Sequence, residues 1–314
     1  MPNTVQQPVT RNQEPVTRNP LLIVNADDFG WSGRVNAAVL RAHGEGILTT
    51  ASLMVAEEGW REAVDIARRT PSLGVGLHVA TTFDRSLLTP GEIPDIVGTD
   101  GKFERNPLRA GLRYSFNAAA RRQLFREMDV QFARFADTEL PWDHVDGHQH
   151  FHMHPTVFRN LLALCDRYGA NRLRVPRESL RAHLRSGGDG LTPVTVGAMF
   201  LQLLCRANLH ALRRRGTVGG KPVFLADQVY GDYQSSNMHA AYTLRLLDRL
   251  SGRVCEAYFH PGTDYARRLP ETAQTEAVRD VELAALLDPE IKSKCDRLGI
   301  RRVTYAEAEA LLNG

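Results

Sequence analysis

The sequence has few cysteines, and they lack the spacing of a structural zinc site or of a disulfide framework. There are four among 314 residues, and no two of them form a CxxC pair. They are Cys165, Cys205, Cys255 and Cys295. We therefore expect reduced cysteines packed in the core of a cytoplasmic protein, because disulfides are rare in that compartment.

Long apolar runs and a strong excess of one charge are also absent. No stretch of roughly eighteen uninterrupted apolar residues occurs, which excludes a membrane-spanning helix. The net charge is only +3, and the basic residues form no long run apart from the arginines at 213–215. This balance gives no indication of a nucleic-acid partner. The 43% of hydrophobic residues suffices for one large core or two small ones.

The first 19 residues differ in composition from the rest. They contain no apolar stretch, so they do not resemble a secretory signal, and the pentapeptide PVTRN occurs in them twice. We expect residues 1–19 to form a disordered tail and residues 20–314 to form the folded domain.

From residue 20 onward, short apolar runs alternate with amphipathic segments, which is typical of a parallel α/β fold. We predict strands at 21–24, 47–55, 73–79, 144–146, 172–175, 221–226 and 254–259, with a last short unit from Val303. Predicted helices follow Ser32 and cover 57–69, 118–136, 155–168, 192–215, 238–250 and 271–287. About seven such units without a clear linker predict a single (β/α) barrel, TIM-like, distorted or seven-stranded. We expect insertions near 81–117, rich in Gly, Pro and Asp, and near 177–220.

Four polar clusters stand where predicted strands end. They are Asp27-Asp28 after LLIV, His78 after GVGL, DGHQHFHMHP at 146–155, and FHPGTD at 259–264. Each alone has an ordinary structural explanation, since such an aspartate often caps a helix and such a histidine often bonds to backbone. Active sites of parallel α/β folds lie at this edge of the sheet, so the four together indicate a functional site.

The third cluster places four of the eleven histidines at alternate positions: His148, His150, His152 and His154. If the segment is extended, all four share one face. Pro155 should start a helix before the fourth can align, so we expect one or two of them to be metal ligands.

Imidazole and carboxylate together suit one divalent cation, zinc first, with magnesium, nickel or iron as alternatives. Asp28, His78 and one histidine of the cluster would supply the three protein ligands of a catalytic site. Asp27 could then act as a general base towards water, and His260 could protonate a leaving group. The residues alone would allow Asp27 and Asp28 to exchange roles.

In order and separation, NADDFG at 25–30, GLH at 76–78, DGHQHFHMHP at 146–155 and FHPG at 259–262 resemble the YdjC-like carbohydrate deacetylases. The resemblance extends from about residue 21 to the C-terminus. It implies a barrel that removes acetyl groups from N-acetylated sugars with a divalent metal.

Matched residue by residue, the resemblance implies that Asp28, His78 and His148 bind the metal. It also implies that Asp27 is the catalytic base and His260 the general acid. The LRVPRE segment makes Arg174 a candidate for positioning Asp27 or for binding substrate. A surface salt bridge is the alternative for this arginine.

The substrate class depends on a narrower likeness and on one helix. The stretch at 25–55 and the LRVPRE segment most resemble the hopanoid-biosynthesis-associated branch, which implies deacetylation of an N-acetylglucosaminyl hopanoid; soluble chitooligosaccharides are the alternative. The predicted helix at 192–215 has an apolar stripe and ends in three arginines. It is either a barrel helix with a buried face or an interfacial helix at the inner face of a membrane.

Two other classes of function compete with the deacetylase. A metal-dependent phosphoesterase usually needs a second metal or a cluster of cations for phosphate, and no dense Lys/Arg motif adjoins the four clusters. A non-catalytic glycolipid-binding protein would not need Asp27, Asp28, His78, His148 and His260 together.

Overall fold

The computed structural model of the protein describes residues 20–190, 192–262 and 273–313; the tail predicted at 1–19 lies outside the described residues. The strands are β1 Leu21–Phe29, β2 Thr50–Leu53, β3 Gly74–Val79, β4 Val145–Gly147, β5 Thr217–Val218, β6 Lys221–Pro222, β7 Gln228–Tyr230, β8 Val254–Phe259 and β9 Arg301–Arg302. The helices are α1 Gly33–Glu45, α2 Trp60–Arg69, α3 Pro107–Phe116, α4 Ala118–Ala136, α5 Pro155–Tyr168, α6 Leu180–Arg185, α7 Pro193–Arg215, α8 Ala240–Leu247, α9 Ala273–Leu287, α10 Pro289–Arg297 and α11 Tyr305–Asn313. A 3₁₀ segment, His148–Met153, follows β4.

The main sheet is parallel and curls towards closure. Its strands lie in the order β4-β3-β2-β1-β8-β7, with β9 beside the start of β1. Single bridges join Val145 to Leu173 and Arg172 to Phe224, and the Val229 amide donates to the Arg177 carbonyl. Residues 171–177 thus link the two ends of the sheet by hydrogen bonds. The predicted TIM-like, distorted α/β barrel is confirmed.

Strand β1 shows how the sequence builds two different faces. Leu22, Val24 and Ala26 belong to the large core shared with the outer helices, whereas Ile23 packs inside the barrel. Because side chains alternate along a strand, Asn25 shares the inward face of Ile23. The strand is therefore buried on both faces, as its apolar run predicts.

The lower end of the barrel is closed by apolar side chains. Val303 and two residues of α11, Tyr305 and Ala308, are buried there against Ile23 and Val229. The Tyr305 hydroxyl donates to Glu256 on β8. The last short unit of the chain thus forms the floor of the barrel.

Sequence reasoning missed α3, which lies inside the predicted insertion at 81–117. Its glycine and prolines suggested a loop, but Pro107 occupies the first turn, where a missing N–H costs nothing. Asn106 caps the helix by accepting from the amides of Leu108 and Arg109.

The prediction of a strand at 221–226 is wrong in most of its length. Residues 221–222 form an antiparallel pair with β5, and Phe224 makes only a bridge. The barrel strand in this part is β7, which has three residues and is too short to show a periodicity. Helices α6 and α10 were also not predicted.

The core includes all four cysteines, whereas the longest helix, α7, contributes little to it. All four cysteines are buried and free, as expected. Helix α7 spans 23 residues, yet it buries only six of its side chains. Among the described residues, no helix combines the length and hydropathy that crossing a bilayer requires.

Candidate metal centre

The carboxyl end of β1 turns so that its two neighbouring aspartates face different groups. Asp28 has φ 66°, a left-handed conformation that is costly for a residue with a Cβ. Asp27 faces Arg174, and Asp28 faces His78 and His148. Both carboxylates are buried, so the turn creates two separate buried acidic positions from one dipeptide.

The structure brings the three predicted metal ligands together. Asp28 Oδ1 lies 3.7 Å from His78 Nε2 and 3.1 Å from His148 Nδ1. One ligand atom from each residue lies within 4.8 Å of the other two. They come from the ends of β1 and β3 and from the 3₁₀ segment, which are adjacent at the upper edge of the barrel.

Each of these three side chains has a polar partner on its far side. His78 Nδ1 donates to Asp146 at 2.7 Å, and His148 Nε2 lies 3.2 Å from Asp84. The second oxygen of Asp28 accepts from Arg279 at 2.6 Å. Such partners fix the tautomer and orientation of metal ligands. The donor set therefore fits a divalent cation.

The electrostatics of this group favour a cation. Burial acts to raise the pKa of Asp28, but Arg279 and His148 outweigh it and hold the pKa well below its usual value. Burial acts to lower the pKa of His148, yet Asp84 and Asp28 raise it to about 9. A cation that binds there must displace a proton from His148.

A second group of potential ligands, Asp27, His78 and Asp146, is also compact. Here Arg174 already donates to Asp27 at 2.9 Å through two nitrogens and lies 2.7 Å from Asp146. That guanidinium thus occupies both oxygens of Asp27 and one of Asp146. Arg279, in contrast, contacts Oδ2 of Asp28 and leaves Oδ1 facing the two histidines. The group built on Asp28 therefore suits a metal better.

Asp27 is held as an ionised carboxylate beside the candidate metal centre. Burial acts to raise its pKa, but Arg174 and His78 outweigh it and lower the pKa. The Asn25 amide also donates to Asp27 at 2.8 Å. His260 Nε2 lies 4.0 Å from its other oxygen, so a proton acceptor and an imidazole stand side by side.

Arg174 does not form a surface salt bridge. It is 1% exposed, bonds to Glu256 at 2.8 Å as well as to Asp27 and Asp146, and lies over the Tyr258 ring at 4.9 Å. It lies below Asp27 and is not among the residues that line the cavity above the centre. Of the two roles considered from the sequence, this placement favours positioning Asp27 over contacting substrate.

His260 lies at the end of β8 with a carboxylate behind it. Glu282 of α9 accepts from the His260 backbone amide and lies 3.7 Å from its Nδ1. Burial acts to lower the pKa of His260, but Glu282, Asp28 and Asp27 raise it above its usual value. A raised pKa favours the protonated form that a general acid needs.

The histidine cluster is not extended, so its four side chains do not share one face. Gln149 and His150 have φ 52° and 53°, so the chain turns and the side chains diverge. His150 faces Asp232 at 2.9 Å, and His152 faces the Arg174 carbonyl at 3.1 Å. One histidine of the four, His148, joins the ligand group.

Several site residues were not found from the sequence. Asp84 lies in the predicted insertion, where no pattern marked it. Arg279 and Glu282 are three residues apart on α9 and thus face one side of it; their spacing was a usable signal. Asp146 opens the DGHQHFHMHP motif, but the motif alone assigns it no role.

A cavity of about 1280 Å³ opens above the centre. Its base is polar and includes Asp27, Asp28, His148 and His260. Its walls are largely apolar and come from α3 and α7; they include Leu108, Leu112, Val194, Phe200, Leu201 and Leu204. The site thus has a charged base and an apolar approach.

Comparison with known proteins agrees with this fold. The YdjC-like protein family matches residues 21–297. A carbohydrate deacetylase of Geobacillus stearothermophilus is 28% identical over 295 residues, which cover 91% of this chain and 96% of that protein. A carbohydrate deacetylase of Brevibacillus brevis is 37% identical over 147 residues, 47% of this chain and 56% of that protein.

Two further matches extend the comparison. A chitooligosaccharide deacetylase of Serratia marcescens is 31% identical over 198 residues, 60% of this chain and 76% of that protein. A crystal structure from Enterococcus faecalis V583, of a protein proposed to cleave cellobiose-phosphate, has a TM-score of 0.66 at 22% identity. It covers 92% of this chain and 98% of that one, so the fold is shared. The chain belongs to the YdjC-like protein family.

Proposed function

We propose that the protein is a metal-dependent carbohydrate N-deacetylase. The observation that carries the proposal is the ligand group Asp28, His78 and His148 directly beside the ionised, arginine-held Asp27. Metal-dependent amide hydrolysis uses this pairing of a Lewis acid with a base for water. The carbohydrate and chitooligosaccharide deacetylases among the relatives support the choice of substrate bond.

Asp28, His78 and His148 would hold one divalent cation, with zinc proposed first and magnesium, nickel or iron as alternatives. When bound, the cation supplies a Lewis acid that activates water and polarises the acetamide carbonyl. His78 and His148 are kept in ligating orientations by Asp146 and Asp84.

The chain's own residues would move the protons. Asp27 accepts a proton from the attacking water while the two Arg174 hydrogen bonds hold its carboxylate in place. The carbonyl C–N bond then breaks, and His260 gives a proton to the departing sugar nitrogen, since an amide anion is a poor leaving group. Free amine and acetate are the products.

We favour an N-acetylglucosaminyl glycolipid of the hopanoid type as substrate. The apolar walls above the polar base support this, because a sugar could reach Asp27 while its lipid stays against α3 and α7. The proposal includes a cytoplasmic protein in peripheral contact with the membrane through residues 192–215. Soluble chitooligosaccharides are the second candidate, which the name of the Serratia relative favours.

A phosphoesterase fits the cavity less well. Among the described residues, its lining contains one arginine, Arg279, and no lysine, together with four aspartates. Apart from its histidines and the proposed metal, such a lining offers a phosphate ester a single cationic partner.

The test is acetate release, with and without chelator, from diacetylchitobiose and from a synthetic N-acetylglucosaminyl lipid. Asp27→Asn should lower turnover by about 10³-fold while metal content stays unchanged. Asp28→Asn should lose both metal and turnover, and Asp65→Asn, at an exposed position of α2, is the matched control. No acetate from either substrate after metal is restored would contradict the deacetylase. Release from the disaccharide alone would contradict only the glycolipid.

A further inference from the structure

The mouth of the cavity is flanked by two helices whose outer faces are apolar, α3 and α7. We infer that these two faces together form a docking surface for an anionic lipid bilayer, and that a membrane-held substrate enters between them. Docking itself rests on the exposure and charge of the two helices. The path of the substrate rests on the proposed function.

Exposed apolar side chains are concentrated on these helices. The structure exposes thirteen large apolar side chains among the described residues, and eight of them lie on α3 and α7. They are Leu108, Leu112, Phe116, Val194, Val196, Met199, Phe200 and Leu203. Phe116 is 81% exposed and Phe200 64%. Isolated exposed residues are ordinary, but a contiguous group marks an interaction surface.

The charge of α3 and α7 indicates which partner binds their exposed apolar faces. Neither α3 nor α7 contains an aspartate or glutamate. Arg109 and Arg113 lie on α3, and Arg206, Arg213 and Arg214 lie on α7. Arg215 of α7 is paired with Asp166 and is not counted among them. A second copy of the chain would bring like charges together across a symmetric interface. Anionic headgroups complement them, and apolar residues flanked by arginines suit the boundary of a bilayer.

The apolar surface continues from the outside into the cavity. Leu108, Leu112, Val194 and Phe200 are each exposed and also line the cavity. Asp27 and His260 lie at the base of that cavity. A lipid could therefore pass from the bilayer into the protein without its apolar part crossing water, while its polar head reaches the charged base.

Three exposed side chains of α7 and one of α3 allow docking to be tested apart from catalysis. Val196, Met199, Leu203 and Phe116 are exposed but do not line the cavity. The double variant Phe116→Ser/Leu203→Ser therefore changes the outer surface alone. The matched control is Leu40→Ser/Leu298→Ser, which removes two exposed leucines from α1 and from the end of α10.

Flotation of the full chain with phosphatidylcholine vesicles, with and without phosphatidylglycerol, measures docking without any substrate. We expect binding to the anionic vesicles only. Phe116→Ser/Leu203→Ser should lower the partition coefficient by roughly tenfold or more, since two large apolar side chains no longer leave water. The control variant should bind as the unaltered chain does, and Arg213→Gln/Arg214→Gln should weaken the preference for anionic vesicles.

Three results would overturn the inference. One is equal binding of the surface variant and the unaltered chain, with both folded by circular dichroism. Another is binding that ignores phosphatidylglycerol. The third is a concentration-dependent dimer in sedimentation that the surface variant abolishes, which would make a second copy the occupant. Turnover of diacetylchitobiose by the surface variant should stay unchanged, so a failed docking test and a failed deacetylase test remain distinguishable.

Discussion

Two regions depart from the usual distribution of polar and apolar side chains, and they do so in opposite ways. They are the interior of the barrel and the α3–α7 surface. Inside, Arg174 is surrounded by three buried carboxylates, Asp27, Asp146 and Glu256. On the surface, large apolar side chains such as Phe116 face water. The first arrangement removes charges from water, and the second leaves a group of apolar side chains exposed to it. The buried charges lie at the bottom of the cavity and the exposed apolar side chains at its mouth. The two unusual arrangements thus mark the two ends of the proposed site.

The largest expected effect is the loss of stability when Arg174 is removed from the barrel interior. Arg174→Met should lower the free energy of unfolding by about 3–5 kcal/mol, because three buried carboxylates lose their shared cation. Urea denaturation measures the loss. The exposed pair of Arg167 with Asp129 gives the control Arg167→Met, which should cost at most about 1 kcal/mol. Equal costs for the two variants would contradict this account of the interior.

A variant of His260 tests whether the charged residues at the bottom of the cavity take part in catalysis. His260→Gln should lower kcat by about 10² to 10⁴, with metal content near that of the unaltered protein. Steady-state kinetics on diacetylchitobiose separate kcat from KM, and kcat and kcat/KM should fall together. A rise in KM alone would assign His260 to binding. His43→Gln, on the outer helix α1, serves as control.

Glu178 gives the interior a pH dependence away from the metal ligands. Burial and Asp232 raise its pKa to about 8, against about 4.5 for an ordinary glutamate. The folded protein thus keeps a proton that the unfolded chain has lost, so its stability should fall as pH rises from 4.5 to 8.

Glu178→Gln should remove that loss. Its melting temperature should exceed that of the unaltered protein by a few degrees above pH 8, and the gap should close at acidic pH. Scanning calorimetry across this range measures it, with the exposed Glu45→Gln as control. A gap that is independent of pH would refute the assignment of a protonated Glu178.

The smallest change in stability is expected when an exposed side chain of the α3–α7 surface is replaced. Phe116→Ala should alter the free energy of unfolding by no more than about 0.5 kcal/mol, whereas Phe132→Ala in the buried face of α4 should cost about 3–5 kcal/mol. Thermal denaturation compares the two. A large cost at Phe116 would mean that this side chain packs against the protein and is not available to a membrane.

The sequence predicted the barrel and the position of its site, since both follow from strand periodicity and from polar residues at strand ends. It left the roles of Asp27 and Asp28 open because the left-handed turn at Asp28 has no signature in residue type. The divergence of the four histidines was missed for the same reason. Arg279 and Asp84 reach Asp28 and His148 from distant parts of the chain, and no local pattern reports such contacts.

The closed floor of the barrel has a consequence for turnover. Tyr305, Val303 and Ile23 pack together in the end of the barrel below the site, so apolar side chains fill the space on that side of Asp27. For a deacetylase, acetate must then leave through the same opening that admits the acetylated molecule. If the larger, deacetylated product stays in place, acetate is held behind it. The order in which the two products leave would then control the rate of turnover. Added acetate should accordingly slow the reaction as a product inhibitor.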